Sequence, residues 1–401
     1  MVQVANVANE HCRERMRNKA PHKTLYKTHR LERRPPFECI ALLLQGGGAL
    51  GAYQAGVYEA LAESNLHPDR VAGISIGAIN GAIIAGNAPE ARVLRLRQFW
   101  QQVTTGHTWW SVFPGESART WINQLSAIGA LFGGARGFFN PHRLLPDFYP
   151  PGALEAISYY DTQQLRDTLE QLIDFDRLNS GETRVSLGAV NVRNGNFVYF
   201  DTETHILRPE HIMASGALPP GFPPIEIDGE YYWDGGLVSN TPLHWVTEAG
   251  PPRNTLAFQI DLWSAGGALP RSMAEVITRQ KEIQYSSRTR ANTDFFKKVK
   301  RLRSAIASLL AQLPAELTES DDAMLLASVA DNCAYNLVHL IYHPTNYEGH
   351  YKDFDFSRLS MEDHWRAGYH DAVRTLRHPE IFERGDRSDV FTFDLSADGR
   401  E

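Results

Sequence analysis

Two short apolar runs near the start of the chain each end in a tight glycine turn that leads into a run of small residues. The first is CIALLLQGGGALGAYQAG, from Cys39 to Gly56, and the second is RVAGISIGAINGAIIAG, from Arg70 to Gly86. A buried strand followed by a glycine turn and a helix, repeated once, is typical of a parallel α/β sheet. The repeat therefore predicts an α/β fold with a mostly parallel central sheet.

Further along the chain, apolar patterns and turn signals extend this prediction. A helix is predicted over 49–64, and strands are predicted over 40–44, 70–72, 183–192, 197–201 and 254–262. Asn194 and Gly195 predict a hairpin turn between the third and fourth of these strands. After about Gly267 the pattern becomes helical and more charged. We therefore divide the chain into a basic, poorly ordered N-terminal extension (1–36), an α/β domain (37–267) and a helical C-terminal extension (268–401).

Composition restricts the class of protein. The 401 residues are 43% hydrophobic and 22% charged with a net charge of -7, which is ordinary for a globular protein and gives no reason to expect nucleic acid as a partner. No cysteine or histidine spacing suggests a metal site, and Cys12, Cys39 and Cys333 are odd in number and scattered. Neither a signal peptide nor a long apolar run is found. We therefore expect a cytoplasmic protein, with the basic extension either solvated or in contact with anionic lipid headgroups.

The first glycine turn has two interpretations. Gly46, Gly48 and Gly51 have the spacing of a dinucleotide-binding loop, but successive glycines also let backbone amides converge on a smaller anionic group. A dinucleotide fold needs an acidic residue at the end of its second strand. Asp69 precedes that strand, and Ser75 occupies its end. The sequence therefore favours a set of amide donors and predicts no cofactor.

The second glycine turn, Gly73-Ile74-Ser75-Ile76-Gly77, is a G-x-S-x-G nucleophile elbow between a strand and a helix. The glycines permit a turn tight enough to expose the Ser75 hydroxyl, and the positive end of the following helix faces a developing oxyanion. Acyl transfer through a serine also needs two or more donors for that oxyanion. Gly46 and its neighbours Gly47 and Gly48 fit this role.

A third motif supplies a carboxylate. In YYWDGGLVSNTPL, Asp234 is followed by Gly235 and Gly236. Two glycines allow the Asp234 carboxylate to approach a serine closely, where it could accept the Ser75 proton. The three motifs together predict a serine hydrolase site.

The chain resembles the patatin-like phospholipases, a family of lipid acyl hydrolases with a Ser-Asp dyad. The resemblance rests on the glycine loop, the elbow, the Asp234 turn and the segment MASGALPPGFPP (213–224), which occur in family order. It implies a three-layer α/β/α domain and a lipid or phospholipid ester as substrate, with neither metal nor cofactor. Peripheral contact with a membrane surface is an alternative that the basic segments leave open. Ser75 would be the nucleophile and Asp234 the base, with an oxyanion hole at Gly46, Gly47 and Gly48. Supporting turns would use Gly51, Gly73, Gly77, Gly235 and Gly236. Leu50 departs from the basic residue that many members carry there, which bears on headgroup preference.

Two alternatives compete with this interpretation. One is an α/β-hydrolase with a Ser-His-Asp triad, in which His244, His343 or His364 would be the base. Against it, the glycine loop and the elbow are separated by a single helix near the N-terminus. The other is a lipid-binding protein without catalytic activity, which the presence of both Ser75 and Asp234 disfavours.

Two regions bear on the substrate. An aromatic-rich segment follows the elbow helix and is interpreted either as core or as lid and acyl pocket: Phe99, Trp100, Trp109, Trp110, Phe113, Trp121, Phe138, Phe139, Phe148 and Tyr149. A basic amphipathic helix is predicted further on, with an apolar stripe at Phe296, Val299, Leu302, Ile306, Leu309 and Leu313 opposite Lys297, Lys298, Lys300, Arg301 and Arg303. Packing on the body of the protein is favoured over contact with a membrane surface.

Overall fold

The computed structural model describes residues 25–104, 133–243, 245, 250–343 and 352–395. The strands in these ranges are β1 (Cys39–Leu44), β2 (Arg70–Ile74), β3 (Asn140–Pro141), β4 (Tyr160–Asp161), β5 (Arg184–Asn191), β6 (Phe197–Asp201), β7 (Ile225–Ile227), β8 (Glu230–Asp234), β9 (Thr255–Asp261), β10 (Tyr335–Ile341) and β11 (Val390–Asp394). The helices are α1 (Gly51–Glu63), α2 (Ile76–Ala85), α3 (Pro89–Val103), α4 (Gln163–Leu172), α5 (Phe175–Leu178), α6 (Pro209–Gly216), α7 (Met273–Leu310), α8 (Ala315–Thr318), α9 (Asp321–Val329) and α10 (Arg358–Thr375).

One mixed sheet forms the centre of the molecule. Its strand order is β11-β10-β9-β1-β2-β5-β8-β7, and β6 also pairs with β5. The strands from β11 to β5 in this order run parallel, whereas β6, β7 and β8 are antiparallel to their neighbours. This confirms the predicted α/β class with a mostly parallel central sheet.

Helices cover both faces of the sheet because successive side chains of the buried strands point in opposite directions. In β1, Ile40 and Leu42 join a large core cluster that includes side chains of α1, α2 and α10. Cys39 and Ala41 join a second cluster, which contains Phe296 of α7. The result is a three-layer α/β/α arrangement with β1 and its neighbours at its centre.

The predicted elements of the first two thirds of the chain are all present, with bounds that shift by one or two residues. The hairpin at Gly195 is also confirmed, since β5 and β6 are antiparallel and Gly195 has a φ of 72°. The part of the chain after Gly267 is mainly helical, as predicted, but it also contributes β10 and β11 to the central sheet. Of the N-terminal extension, 1–24 lies outside the described residues, and 25–36 contains no helix or strand.

The long helix α7 packs on the body of the protein, as predicted, but its buried face is rotated from the predicted apolar stripe. Between 293 and 304 the buried residues are Thr293, Phe296, Lys300 and Ser304, so Phe296 of the predicted stripe is buried whereas Leu302 is exposed. The polar members of this stripe are accommodated because Lys300 and Ser304 donate hydrogen bonds to backbone carbonyls at 2.8 and 2.9 Å. No helix in the described ranges is both long and apolar enough to cross a bilayer.

Candidate active site

A single pocket brings the three sequence motifs together. Its lining includes the glycine loop that follows β1, Ser75 after β2, and Asp234 at the end of β8. β1 and β2 are parallel neighbours, so their carboxyl ends lie side by side at the same edge of the sheet. The fold therefore places the glycine loop beside the elbow, as the sequence interpretation requires.

Ser75 occupies a strained turn. Its φ and ψ are 58° and -126°, a conformation that a non-glycine residue rarely adopts, and it forms the N-cap of α2. The flanking glycines have no room for a side chain. A Cβ on Gly73 would lie 2.4 Å from the Gly77 carbonyl oxygen, and a Cβ on Gly77 would lie 2.3 Å from the Leu44 carbonyl oxygen. Only glycine therefore fits at the two positions that flank Ser75, and the tight elbow places Ser75 in the lining of the pocket.

The backbone of the elbow is also held from outside. The Ser75 amide lies 3.1 Å from the Ser215 hydroxyl oxygen and 3.1 Å from the Ser215 carbonyl oxygen. The Ser215 hydroxyl itself donates to the Gly188 carbonyl at 2.7 Å. Ser215 lies in α6, within the segment 213–224 that precedes the Asp234 turn. This contact gives that segment a physical role in fixing the serine.

Asp234 is a buried carboxylate that lines the same pocket as Ser75. Only 1% of its surface is exposed, and the Gly236 amide donates a hydrogen bond to Oδ1 at 2.7 Å. Burial raises the pKa of Asp234 to about 7, although the Ser75 hydroxyl and the Gly236 amide oppose the rise. Gly235 permits the approach, because a Cβ there would lie 2.6 Å from the Gly188 carbonyl oxygen. A carboxylate with this pKa is a far better proton acceptor near neutral pH than an ordinary aspartate.

The glycine loop exposes backbone amides in a fixed orientation. The Gly46 carbonyl accepts hydrogen bonds from Asn240 Nδ2 and Trp263 Nε1, each at 3.0 Å. Because the carbonyl and the next amide point in opposite directions across a planar trans peptide, the Gly47 N–H is directed away from these two side chains. Among the described residues, none accepts a hydrogen bond from the amide of Gly46, Gly47 or Gly48.

Close packing around the loop explains its glycines. A Cβ on Gly46 would lie 2.4 Å from Asn240 Oδ1, and one on Gly47 would lie 2.8 Å from Leu262 Cδ1. Gly48 has a φ of 57°, which favours glycine. Gly51 begins α1 and lies against Ile76, so α1 and α2 pack closely at this point.

Three residues that support the site were not predicted: Asn240, Trp263 and Ser215. Asn240 lies in the motif segment that contains Asp234, and Ser215 lies in the segment 213–224. The local sequence pattern of neither residue shows which atoms its side chain contacts. Trp263 follows β9, and β9 is the parallel neighbour of β1. A residue directly after that strand therefore reaches the loop that follows β1, a signal that only the strand order supplies.

Aromatic side chains form the apolar wall of the pocket. Phe138 and Phe139 pack against Phe222 and Phe356 with ring centroids 5.3 to 5.9 Å apart, and all four line the pocket. The aromatic-rich segment is therefore partly core and partly pocket wall. Phe99 and Trp100 belong to the core, Phe138 and Phe139 to the pocket, and Phe148 is exposed. Tyr149 is half-buried, and Trp109, Trp110, Phe113 and Trp121 lie outside the described residues.

No histidine is found among the described residues that line the pocket. His343 is exposed, and His364 is buried against Tyr342 with ring centroids 5.3 Å apart. His244 lies outside the described residues. Leu50 is completely buried in the core, so its side chain does not face the pocket.

A serine on a strained strand-to-helix turn, in one pocket with a buried carboxylate and a glycine loop, is an arrangement found in serine hydrolases. Family comparison gives a more specific assignment. The family model described as "Patatin-like phospholipase" matches residues 42–246, and one described as "Patatin phospholipase" matches residues 283–388. The chain belongs to the patatin-like phospholipase family.

The chain is also similar to individual proteins of this kind. It is 25% identical over 249 residues to "Lysophospholipase NTE1" of Kluyveromyces lactis, an alignment that covers 61% of this chain and 14% of that protein. It is 48% identical over 60 residues to "Lysophospholipase nte1" of Aspergillus terreus, covering 15% and 4%. The chain therefore spans a small part of these relatives' length. Among solved structures, VipD from Legionella pneumophila matches with 13% identity and a TM-score of 0.39, covering 95% of this chain and 77% of that one.

Proposed function

We propose that this chain is a serine lipid acyl hydrolase of the phospholipase A or lysophospholipase type. The observation that carries the proposal is one pocket that holds an elbow serine, Ser75, and a buried carboxylate, Asp234, whose pKa burial raises to about 7. The aromatic wall of the pocket suits an acyl chain, and the fungal relatives are named lysophospholipases. These features favour a phospholipid or lysophospholipid ester as substrate.

The proposed reaction has two halves. Ser75 Oγ attacks the acyl carbonyl carbon while Asp234 takes the hydroxyl proton, and the amides of the glycine loop stabilise the resulting oxyanion. Collapse of this intermediate breaks the ester bond, and Asp234 returns the proton to the departing alcohol oxygen. Water then attacks the acyl-enzyme, Asp234 accepts its proton, and the fatty acid leaves as Ser75 regains a proton. No step in this scheme uses a histidine, a metal ion or a cofactor.

Hydrolysis of a panel of lipid classes by the wild-type protein and by Ser75→Ala tests the proposal. We expect fatty acid release from phospholipid or lysophospholipid by the wild type only, and covalent labelling of Ser75 by a fluorophosphonate probe. Equal release by both proteins would place the chemistry elsewhere. Lipid binding by the wild type without hydrolysis or labelling would indicate a non-catalytic lipid-binding protein.

A further inference from the structure

The glycine loop is fixed on its far side by a segment from the C-terminal part of the chain, residues 352–356. The Asp353 carbonyl oxygen accepts a hydrogen bond from the Ala49 amide at 2.9 Å. A Cβ on Gly48 would lie 2.3 Å from the same oxygen, so the two backbones are in direct contact. This contact lies immediately after the last of the three loop glycines.

Two ion pairs join this segment to α7. In the first the positive residue lies in α7, and in the second it lies in the segment. Lys281 Nζ lies 3.0 and 2.9 Å from the two carboxylate oxygens of Asp353. Lys352 Nζ lies 2.9 Å from Glu282 Oε1, and Glu282 also binds Arg279 at 3.1 Å. We call the pairs Lys281–Asp353 and Glu282–Lys352 the α7 clasp. Its side chains are 3% to 27% exposed, which separates them from solvated surface pairs.

A loop of three glycines has little intrinsic rigidity, whereas an oxyanion hole needs donors fixed before the reaction. Asn240 and Trp263 hold the Gly46 carbonyl at one end of the loop. At the other end, the Asp353 carbonyl holds Ala49. Because the Asp353 carboxylate is occupied by Lys281 through both oxygens, it is engaged in holding its own segment in place. Removing one partner of this partly buried pair leaves an uncompensated charge, which we expect to displace the segment or expose it to water.

We propose that the α7 clasp positions the oxyanion loop: Lys281 and Asp353 act through the geometry of the loop amides and set kcat, with little effect on substrate binding. The inference rests on the proposed acyl hydrolase function. It makes the C-terminal part of the chain a structural component of the active site. Lys281 is a positioning residue, because it acts on Gly48 and Ala49 through Asp353, which itself lines the pocket.

The test uses the full chain and the variants Lys281→Met, Asp353→Asn and the double variant, which has no unpaired charge. We expect kcat for a short-chain ester to fall about 10- to 100-fold in each, with KM within about twofold of wild type. The kcat of the double variant should be no lower than that of either single variant, because the two residues form one unit.

The affinity for a trifluoromethyl ketone, which forms a tetrahedral adduct with Ser75, should fall in proportion to kcat. Arg301→Met and Asp389→Asn are the matched controls, since this pair also joins α7 to the body but is largely exposed.

The outcomes separate the two proposals. A wild type that neither hydrolyses esters nor labels with a fluorophosphonate refutes both the function and the clasp. An active wild type whose clasp variants match the Arg301 and Asp389 controls in kcat and ketone affinity refutes the clasp alone. Variants that lose only thermal stability, with wild-type kcat per labelled active site, also refute it.

Discussion

Replacing Asp234 by asparagine should abolish activity and at the same time stabilise the fold at neutral and alkaline pH. The amide keeps the shape of the side chain: its oxygen can accept from the Gly236 amide and its nitrogen can donate to the Ser75 oxygen. It has no site for the Ser75 proton, so the loss of kcat should approach that of Ser75→Ala. The charge that makes Asp234 a base is also the charge whose burial costs stability.

The size of the stability effect follows from the pKa of Asp234, which rises from 3.8 to about 7 on folding. Between these values the folded state holds a proton that the unfolded state has released, so the stability of the wild type falls as the pH rises through this window. A shift of about three units corresponds to about 4 kcal/mol, at 1.36 kcal/mol per unit. Asp234→Asn has no carboxyl proton to release, so its stability does not fall through this pH window. We expect equal stability below about pH 4 and a variant more stable by up to about 4 kcal/mol above about pH 7.

Urea denaturation at a series of pH values, with fatty acid release measured on the same samples, tests this prediction. Asp201→Asn is a control for which we expect the change in stability at neutral pH to have the opposite sign. Burial raises the pKa of Asp201, but hydrogen bonds from Ser186, the Glu203 amide and Arg184 outweigh burial and lower it. That carboxylate contributes stability above its unfolded pKa, so Asp201→Asn should destabilise the protein at neutral pH. An Asp234→Asn protein that is active, or whose stability relative to wild type does not change with pH, would refute the reasoning.

Three further predictions concern the same site. Gly47→Val should lower kcat about 10²-fold with less effect on KM, because its side chain would collide with Leu262 and displace an oxyanion donor; loss of NAD binding in a titration would instead support a dinucleotide site. The wild-type kcat/KM should rise with pH through about 7 and then level off as Asp234 loses its proton, and a flat profile across this range would argue against Asp234 as the base. His343→Ala and His364→Ala should each retain activity when folded, whereas a loss of about 10⁴-fold in either would favour a triad.

The elements that the sequence predicted best are those fixed by local pattern. β1 and β2 are short apolar runs closed by glycines, and their bounds differ from the prediction by one or two residues. The apolar stripe of α7 was predicted less well. Periodicity favoured Leu302 and Leu309 as buried positions, but the helix buries Lys300 and Ser304, whose polar ends find carbonyl partners across the interface. The partners of a polar side chain cannot be read from helical spacing.

β10 and β11 were not predicted, although they extend the central sheet. A short strand among helical segments has a weak local signal, and its stability comes from pairing with β9. The candidate active site was likewise predictable from the sequence only in part. Its three motifs could be recognised separately, because each needs only a few adjacent residues to form a turn.

Local sequence was enough to predict the turn that carries Ser75, the glycine loop at Gly46 and the carboxylate at Asp234. Such turns depend on the backbone freedom and side-chain size of neighbouring residues, which sequence records directly. The contacts that bring these parts together depend on the packing of distant segments. The rise in the pKa of Asp234 comes from burial, and the Gly46 carbonyl is held by Asn240, 194 positions further along the chain. Both effects require distant segments to meet in space, because burial and hydrogen-bond partners are properties of the packed molecule.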